Sequence, residues 1–401
     1  MAYKTLDSLA DLKTGAEGKI VLLRGDLNVP VRDKEITDNT RIKRLVPTIQ
    51  ELRDKGCRVV LISHFGRPNG QIVPEMSLKV LVPEIEAILG TTIFFANDCI
   101  GDVASNLISS LPNGGIALLE NLRFHEGEEK NDPAFIAALA KMGDIYVNDA
   151  FSAAHRAHAS TFGLASLLPA AAGRLMQAEL EALEAAIGSA ARPLAAIVGG
   201  AKVSTKLQIL SNLVGKVDRL VIGGAMANTF LYSLNNDVGA SLCEHQSADT
   251  ARAVMARAND EGCEIILPSD VLIASKLSSG IDCESVKIAS IPKDKMILDI
   301  GTNSARALAL SLKECKTLLW NGPLGAFEVP PFDTATNMVS RAAADLTQSK
   351  ELLTIAGGGD TVAALAAAGV LEDFSYVSTA GGAFLEWLEG KKLPGIAALE
   401  K

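Results

Sequence analysis

Little in this 401-residue sequence is aromatic: Phe, Trp and Tyr together make up 4%. Ala, Gly, Val, Ile and Leu dominate instead, which is the profile of Ala-rich helices on Val/Ile strands and not of a β-sandwich. Cysteine is sparse too. Six are scattered at 57, 99, 243, 263, 283 and 315 without a C-x-x-C pair. No Cys–His cluster carries metal-ligand spacing, which speaks against zinc, and free thiols in a reducing cytoplasm are expected. Positive charge is in the minority, with 38 Lys+Arg against 47 Asp+Glu and a formal net charge of −9. A nucleic-acid partner needs a basic footprint, so none is expected. Long apolar runs are missing: the charge-free stretch 220–236 is broken by Gly, Asn and Ser, so no membrane span is expected. The first residues, MAYKTLDSLADLKTG, lack the apolar core of a secretion signal, which again suggests a cytoplasmic protein. Two phosphate motifs are absent as well. No Gly-Lys pair (18–19, 215–216, 390–391) is followed by Ser or Thr, and no GxGxxG follows a strand.

What is present is 48% hydrophobic residues and no long single-sign charge run, so the chain is not disordered. Its length suggests two domains, each large enough to bury a core. Short Val/Ile/Leu runs, each ending in a Gly-rich or polar turn and most followed by a helical pattern, give the rhythm of parallel sheets. Strands are predicted at 20–23, 58–62, 116–119 and 144–147, then at 194–198, 220–222, 264–267, 317–320, 352–355 and 375–377. Between the two runs, Met176, Leu180, Leu183 and Ile187 share one helix face, and Gly188 and Pro193 end that helix. The predicted fold is α/β: two similar-sized domains, each a Rossmann-like three-layer unit of a parallel β-sheet flanked by helices, joined by a hinge helix. Its limits are 1–173, a connecting helix at 174–190, 191–383, and a C-terminal segment 384–401 that returns to the N-terminal domain.

Ligands of open parallel sheets bind beyond the carboxyl ends of the strands. In the first half those positions read RGDLNVP, SHFGRP, ENLRF and NDAFSAAHRAHAS. Arg24, Arg67, Arg123 and Arg156 lie there, and Arg41 opens the helix after the first loop. Crowded cations repel by roughly 3 kcal/mol per pair at about 6 Å, unless an anion fills the space between them. Arg grips carboxylate and phosphate bidentately, while Asp26 and Asn28 can accept from hydroxyls. A phosphorylated sugar acid fits this set. His155 and His158 are read as structural, and His64 stays open between the two roles.

In the second half the same positions hold glycines: Gly199-Gly200, Gly223-Gly224, Gly357-Gly358-Gly359 and Gly381-Gly382, with Asn321-Gly322-Pro323-Leu324-Gly325 after the Trp320 strand. Backbone amides without Cβ atoms, ahead of helix N-termini, suit nucleotide phosphates. Asp360 is a hard oxygen ligand for Mg²⁺. Lys202 and Lys206, one helical turn apart, can reach a phosphoryl group.

Taken together and in order, these motifs resemble the phosphoglycerate kinase family over essentially the whole chain: the four loops above, then GGAKVSTK, GGAMANTF, PSD, WNGPLGAFE, GGGDT and STAGGAFLE. The resemblance implies reversible, Mg²⁺-dependent phosphoryl transfer from the acyl phosphate of 1,3-bisphosphoglycerate to ADP, giving 3-phosphoglycerate and ATP in glycolysis and gluconeogenesis. It implies that Asp26, Asn28, Arg41, His64, Arg67, Arg123 and Arg156 hold the phosphoglycerate. On the nucleotide side it implies Lys206 on the phosphates, Glu328 on the ribose, and Gly357, Gly358, Gly359, Asp360 and Thr361 around phosphate and magnesium, with Gly223, Gly224 and Asn321 on the same wall. Lys202 and Arg41 are the implied catalytic residues, and Asp360 the metal ligand. The implied enzyme is a monomer that closes its domains over small-molecule substrates. The chain departs from the family pattern at Ser152-Ala153, where Gly-Thr is usual, and at Ala380, where a third glycine is usual. The alternative is a non-catalytic two-domain protein that binds sugar phosphates and nucleotides. A dehydrogenase lacks its dinucleotide fingerprint here.

Overall fold

The computed structural model describes residues 3–32 and 35–400. It divides into two compact units, residues 1–180 with 392–401, and residues 181–391. The division falls within the helix Arg174–Leu183, which runs on into a π-turn at Glu184–Gly188.

In chain order the strands are β1 Ile20–Arg24, β2 Val31–Arg32, β3 Glu35–Ile36, β4 Arg58–Ile62, β5 Ile93–Ala96, β6 Ile116–Leu119, β7 Ile145–Asn148, β8 Ala170–Ala172, β9 Leu194–Gly199, β10 Arg219–Gly223, β11 Glu264–Ile266, β12 Asp270–Ala274, β13 Glu284–Lys287, β14 Met296–Ile300, β15 Thr317–Asn321, β16 Leu353–Gly357 and β17 Tyr376–Ser378. The first unit is built on a six-stranded sheet ordered β5-β6-β4-β1-β7-β8, and the second on one ordered β11-β10-β9-β15-β16-β17. All pairings within both sheets are parallel. Helices cover both faces of such sheets, so their central strands are apolar without alternation. Leu22, Leu23, Val59 and Leu61 are fully buried in the first unit, as are Ala196, Ile197 and Leu318 in the second.

Ten strands fall within a residue or two of the predicted positions, because continuous Val/Ile/Leu runs mark them. Two strands of the six-stranded sheets, and the short β2–β3 pair, lie outside the predicted positions. β5 (IFFA) is an edge strand with Phe94 exposed, and β8 is three alanines, a residue with little strand preference of its own. Between β11 and β15 the second unit also inserts an antiparallel sheet, β13-β12-β14. Its antiparallel strands, of which β13 (ESVK) is polar, stand outside the strand–helix rhythm on which the prediction rests.

Both chain ends finish the first unit. The Lys4 amide donates to the Leu399 carbonyl (2.9 Å), and the Ala172 amide of β8 donates to the Lys4 carbonyl (2.9 Å). Residues 3–5 thus run between the β8 edge and the C-terminal segment, where an open row of strand groups would otherwise face water. Gly395 donates to Ala154 (2.8 Å), and Ile396 and Leu399 are buried. No helix among the described residues is long and apolar enough to cross a membrane.

Candidate active site

Each main sheet reverses its winding direction once, and both reversals sit where the topology puts a crevice at the carboxyl ends of the strands. In the first unit this point lies between β1 and β7, since the chain goes from β1 to β4 on one side and later returns to β7 on the other. In the second it lies between β9 and β15.

Ionic side chains fill the first crevice. Asp26, after β1, accepts on Oδ2 from Arg41 Nη1 (2.7 Å) and from the Ser152 hydroxyl after β7, and on Oδ1 from the Asn28 amide (3.1 Å). Arg41 Nη1 also donates to the Asn28 carbonyl (3.0 Å). Asn28 Oδ1 accepts from the Gly66 amide (2.9 Å), and the Gly66 carbonyl accepts from Arg123 Nη1 (2.7 Å). Gly66 adopts φ 64°, and a Cβ there would lie 2.8 Å from Met76 sulfur, so this junction requires glycine. Asn121 ties the loops after β4 and β6 by accepting from the Phe65 and Arg123 amides (both 3.1 Å) and donating to the Phe65 carbonyl (2.7 Å).

Arg24 is scaffold. It is 1% exposed, donating through Nε to Ser160 Oγ (2.9 Å), through Nη1 to the Gly25 carbonyl and through Nη2 to His64 Nδ1 (2.9 Å). Ser160 Oγ passes its own proton toward the buried Glu128 (2.5 Å). Arg24 has no acceptor atoms, so His64 Nδ1 must be the acceptor and the neutral ring carries its proton on Nε2. Burial, reinforced by Arg24, Arg123 and Arg156, holds the His64 pKa well below its ordinary value, so a neutral ring persists at physiological pH. His158, pulled down to about 4 by burial and the same arginines, is neutral too. The cationic work is left to Arg41, Arg67, Arg123 and Arg156.

Arg123 is the most constrained of these. It is 3% exposed, and burial followed by neighbouring arginines pushes its pKa down to about 10, still charged at neutral pH. Its Nε stands 3.2 Å from Glu129 Oε1, yet that N–H forms no aligned hydrogen bond. A buried, incompletely paired guanidinium beside other cations is what an anion would complete. Arg67 is exposed and has no hydrogen-bond or ion-pair partner among the described residues. Arg156 Nε meets His155 Nε2 at 3.2 Å, which makes His155 a prop for that arginine.

Backbone builds the second crevice. Gly199, at the end of β9, and Gly322, after β15, approach so closely that a Cβ on Gly199 would lie 2.0 Å from the Pro323 carbonyl oxygen. The Gly322 amide donates to Thr361 Oγ1 (2.7 Å), and Asn321 Nδ2 donates to the Gly357 carbonyl (2.7 Å), joining three turns. Lys206 Nζ donates to Asn321 Oδ1. Burial lowers the Lys206 pKa, opposed first by Asp360, so the two charges sense each other. Gly358, at φ 98°, leads into the helix Gly359–Ala367, whose first turn carries Asp360. Beside these turns opens a cavity of about 340 Å³ with largely apolar walls, among them Gly224, Leu242, Leu298, Pro323, Leu324 and Phe327, with Glu328 and Asp360 also lining it. Of the nucleotide residues inferred from sequence, Gly224, Glu328 and Asp360 line the cavity directly. Lys206, Asn321, Gly357, Gly358 and Thr361 form the bonded turns beside it.

Lys202 is exposed, on the loop between β9 and the next helix. That loop is held by a residue the motifs did not single out. Glu244 accepts from the Ser204 amide (3.0 Å) and hydroxyl (2.6 Å). Asp299 was missed as well. It sits under the cavity, accepting from the Ile300 (2.9 Å) and Ala335 (3.0 Å) amides, and burial raises its pKa to about 8. Neither residue lies in a Gly or Arg cluster, and Ser204 and Ala335 are 40 and 36 residues away from them in sequence. Ala380 adopts φ −85°, an ordinary backbone conformation, so the position does not require glycine.

A family model described as phosphoglycerate kinase matches residues 9–391. The chain is 59% identical over 401 residues to a phosphoglycerate kinase of Sinorhizobium medicae (strain WSM419), covering all of both chains. It is 58% identical over 400 residues to one of Ruegeria sp. (strain TM1040), again covering both completely. Among solved structures, phosphoglycerate kinase from Coxiella burnetii superposes with a TM-score of 0.91 at 38% identity, covering 99% of this chain and 98% of that one. The enzyme from Pyrococcus horikoshii OT3 gives 0.79 at 28% identity, covering 96% and 97%.

Proposed function

The chain belongs to the phosphoglycerate kinase family, and we infer that it transfers a phosphoryl group reversibly between the acyl phosphate of 1,3-bisphosphoglycerate and ADP, using the two crevices as its two substrate sites. The observation that carries this assignment is their opposite chemistry: one is lined by arginines around a neutral histidine, the other by apposed glycine turns beside an apolar cavity.

The phosphoglycerate would sit in the first crevice. Arg67, Arg123 and Arg156 supply charge, His64 Nε2 a neutral donor, and Asn28 a hydroxyl partner. Asp26 is mostly engaged already, by Arg41, Ser152 and the Asn28 amide, so its first task is to aim Arg41. Ser152 here provides a hydroxyl that glycine would not. The nucleotide base would fill the apolar cavity, with Glu328 toward the ribose and Lys206 and the Gly357–Gly358–Gly359 turn toward the phosphates.

In the ATP-forming direction the attacking atom is an ADP phosphate oxygen, and in reverse it is a carboxylate oxygen of 3-phosphoglycerate. Both are ionised at neutral pH, so no general base is required. Catalysis then rests on alignment and on neutralising charge on the transferring oxygens. Arg41 and Lys202 are suited to that, Lys202 because its ammonium makes no ion pair among the described residues. Asp360 is an exposed carboxylate lining the nucleotide cavity, and Mg²⁺ commonly takes one or two carboxylates together with substrate phosphates. The residue therefore fits Mg²⁺, which when bound would offset phosphate charge. Because the two substrates bind to different units, transfer requires the half-sites to close on each other and exclude water from the acyl phosphate. The connecting helix is the natural hinge.

Both half-sites are complete within one chain, which supports a monomer as the working unit. The six unpaired thiols suit a reducing cytoplasm. The test is a coupled assay of ATP- and Mg²⁺-dependent phosphorylation of 3-phosphoglycerate by the purified chain. Folded protein without activity would overturn the assignment.

A further inference from the structure

Cysteine and histidine spacing in the sequence speaks against a zinc site, but folding brings together residues that are distant in the chain. Asp98 and Cys99 follow β5, and His125 follows the short turn after β6. These strands are parallel neighbours, with Ala96 opposite Leu119. At their carboxyl ends, a carboxylate oxygen of Asp98, Cys99 Sγ and a ring nitrogen of His125 all lie within 4.8 Å of one another. We propose that Asp98, Cys99 and His125 form a binding site for a zinc-class transition-metal dication, separate from the magnesium that Asp360 would hold.

Three observations carry this. The donor set is one thiol, one imidazole and one carboxylate, a mixture that suits Zn²⁺ or Co²⁺, whereas Mg²⁺ and Ca²⁺ prefer oxygen alone. The imidazole is already aimed: His125 Nε2 stands 2.7 Å from Asp98 Oδ1, and its ring is fixed by stacking on Phe135 with centroids 5.2 Å apart. An Asp–His pair explains itself, but it does not account for the thiol. Cys99 is completely buried, and no hydrogen-bond partner is seen for its Sγ among the described residues; the same holds for buried Cys263, but only Cys99 has an imidazole and a carboxylate beside it, and the buried thiols of Cys57 and Cys315 donate to the carbonyls of Ala16 and Ser311.

Ligand atoms of a tetrahedral zinc stand roughly 3.3–3.8 Å apart, the oxygen–nitrogen pair at the short end, so the Asp98–His125 contact would open by about 0.6 Å and the thiol would close in. The fourth position would face the hollow lined by Ile100, His125, Glu126, Lys130 and Phe135, where water can complete the set. On binding, the thiol proton leaves to solvent and sulfur ligates as thiolate. His125 lies two residues beyond Arg123, so the metal would pin the end of the β5 strand to the segment that carries that arginine.

The experiment uses the full-length protein with Cys243→Ser and Cys283→Ser, which removes the thiol beside His245 (3.8 Å) and the exposed one. Zinc chloride alone is added, and bound metal is measured by equilibrium dialysis with elemental analysis. Cobalt is used in parallel to read sulfur-to-metal charge transfer. The expected result is about one zinc per chain, with affinity falling at least ~10-fold in each of Cys99→Ser, His125→Gln and Asp98→Asn. The cobalt–thiolate band should vanish in Cys99→Ser. Zinc should raise the melting temperature of the parent and not that of His125→Gln. If Cys99→Ser does not fold, the partly exposed His125→Gln and Asp98→Asn decide the outcome. No bound zinc, or zinc retained at parental affinity in these variants, overturns the proposal. Because the readout is binding, it does not depend on kinase activity.

Discussion

The two crevices occupy equivalent places in similar sheets and are built from opposite materials. In the first unit, side chains meet across the switch point: Ser152 and Arg41 converge on Asp26. In the second, backbone meets backbone, with Gly199 against Gly322 and Pro323. A side-chain site can be retuned one residue at a time, because each group makes its own contacts. A backbone site fails when any Cβ intrudes, because main chain has nowhere to move. The difference suits the two ligands proposed for them: a small acid needs discrete cations, and a nucleotide needs a smooth wall and peptide dipoles.

Substitutions can break that contrast. The largest effect is expected for Lys202→Ala, a side chain acting on the backbone-built half. Turnover should fall at least ~100-fold with nucleotide affinity nearly unchanged, as for a group that acts mainly in the transition state. Steady-state kinetics with nucleotide titration checks this, and a variant that loses affinity but keeps turnover contradicts it. Gly199→Ala tests the backbone wall itself. With a Cβ 2.0 Å from a carbonyl oxygen, it should cost about 2–3 kcal/mol in urea unfolding and weaken nucleotide binding at least ~10-fold. Arg67→Ala should weaken phosphoglycerate binding about 10-fold by calorimetry and leave ADP binding intact, because a discrete cation is lost and no fold contact is broken.

Proton linkage separates the units more gently. Asp299 has a folded pKa of about 8, so its contribution to stability is full below its unfolded value near 4 and is lost as pH rises through about 8. The slope is at most about 1.4 kcal/mol per pH unit. In the first unit, Asp149, raised to about 7 by burial, gives the same sign. His158, lowered to about 4, gives the opposite sign between about pH 4 and 6.5. These two offset each other over their shared window, between about pH 4 and 6.5, whereas the window of Asp299 runs on to about 8, so urea midpoints of Asp299→Asn from pH 4 to 8 should fall less with pH than those of the parent. The smallest effect is expected for Ala380→Gly. Since Ala380 is at φ −85°, restoring the usual glycine should change activity less than about twofold and cost under about 1 kcal/mol, chiefly through unfolded-state entropy.

The sequence showed where the walls of both crevices lie but not how each residue is used. The strands were visible because parallel-sheet strands are unbroken apolar runs, and the loops after them because Arg and Gly cluster there. Arg24 looked like a fifth ligand-facing cation, although its guanidinium is fully engaged by Ser160, Gly25 and His64. Little local marks that difference, because Ser160 and His64 come from two other loops. Glu244 and Asp299 went unnoticed for the same reason, and so did the approach of Cys99 to His125. In the β12–β14 insert only β13 (ESVK) is polar; β12 and β14 are mostly apolar runs that no α-helix separates, so they fall outside the strand–helix alternation that marks the parallel sheets.

One detail at the chain ends bears on how the molecule is made. Residues 392–400 complete the first unit by pairing with residues 3–4 and packing against Ala154. On a ribosome those residues emerge only after the whole of the second unit. The unit begun first is therefore finished last, and until the final residues are released its β8 edge lacks part of its covering. A message cut after the codon for residue 391 would yield a chain whose later-made unit is whole and whose earlier-made unit is not.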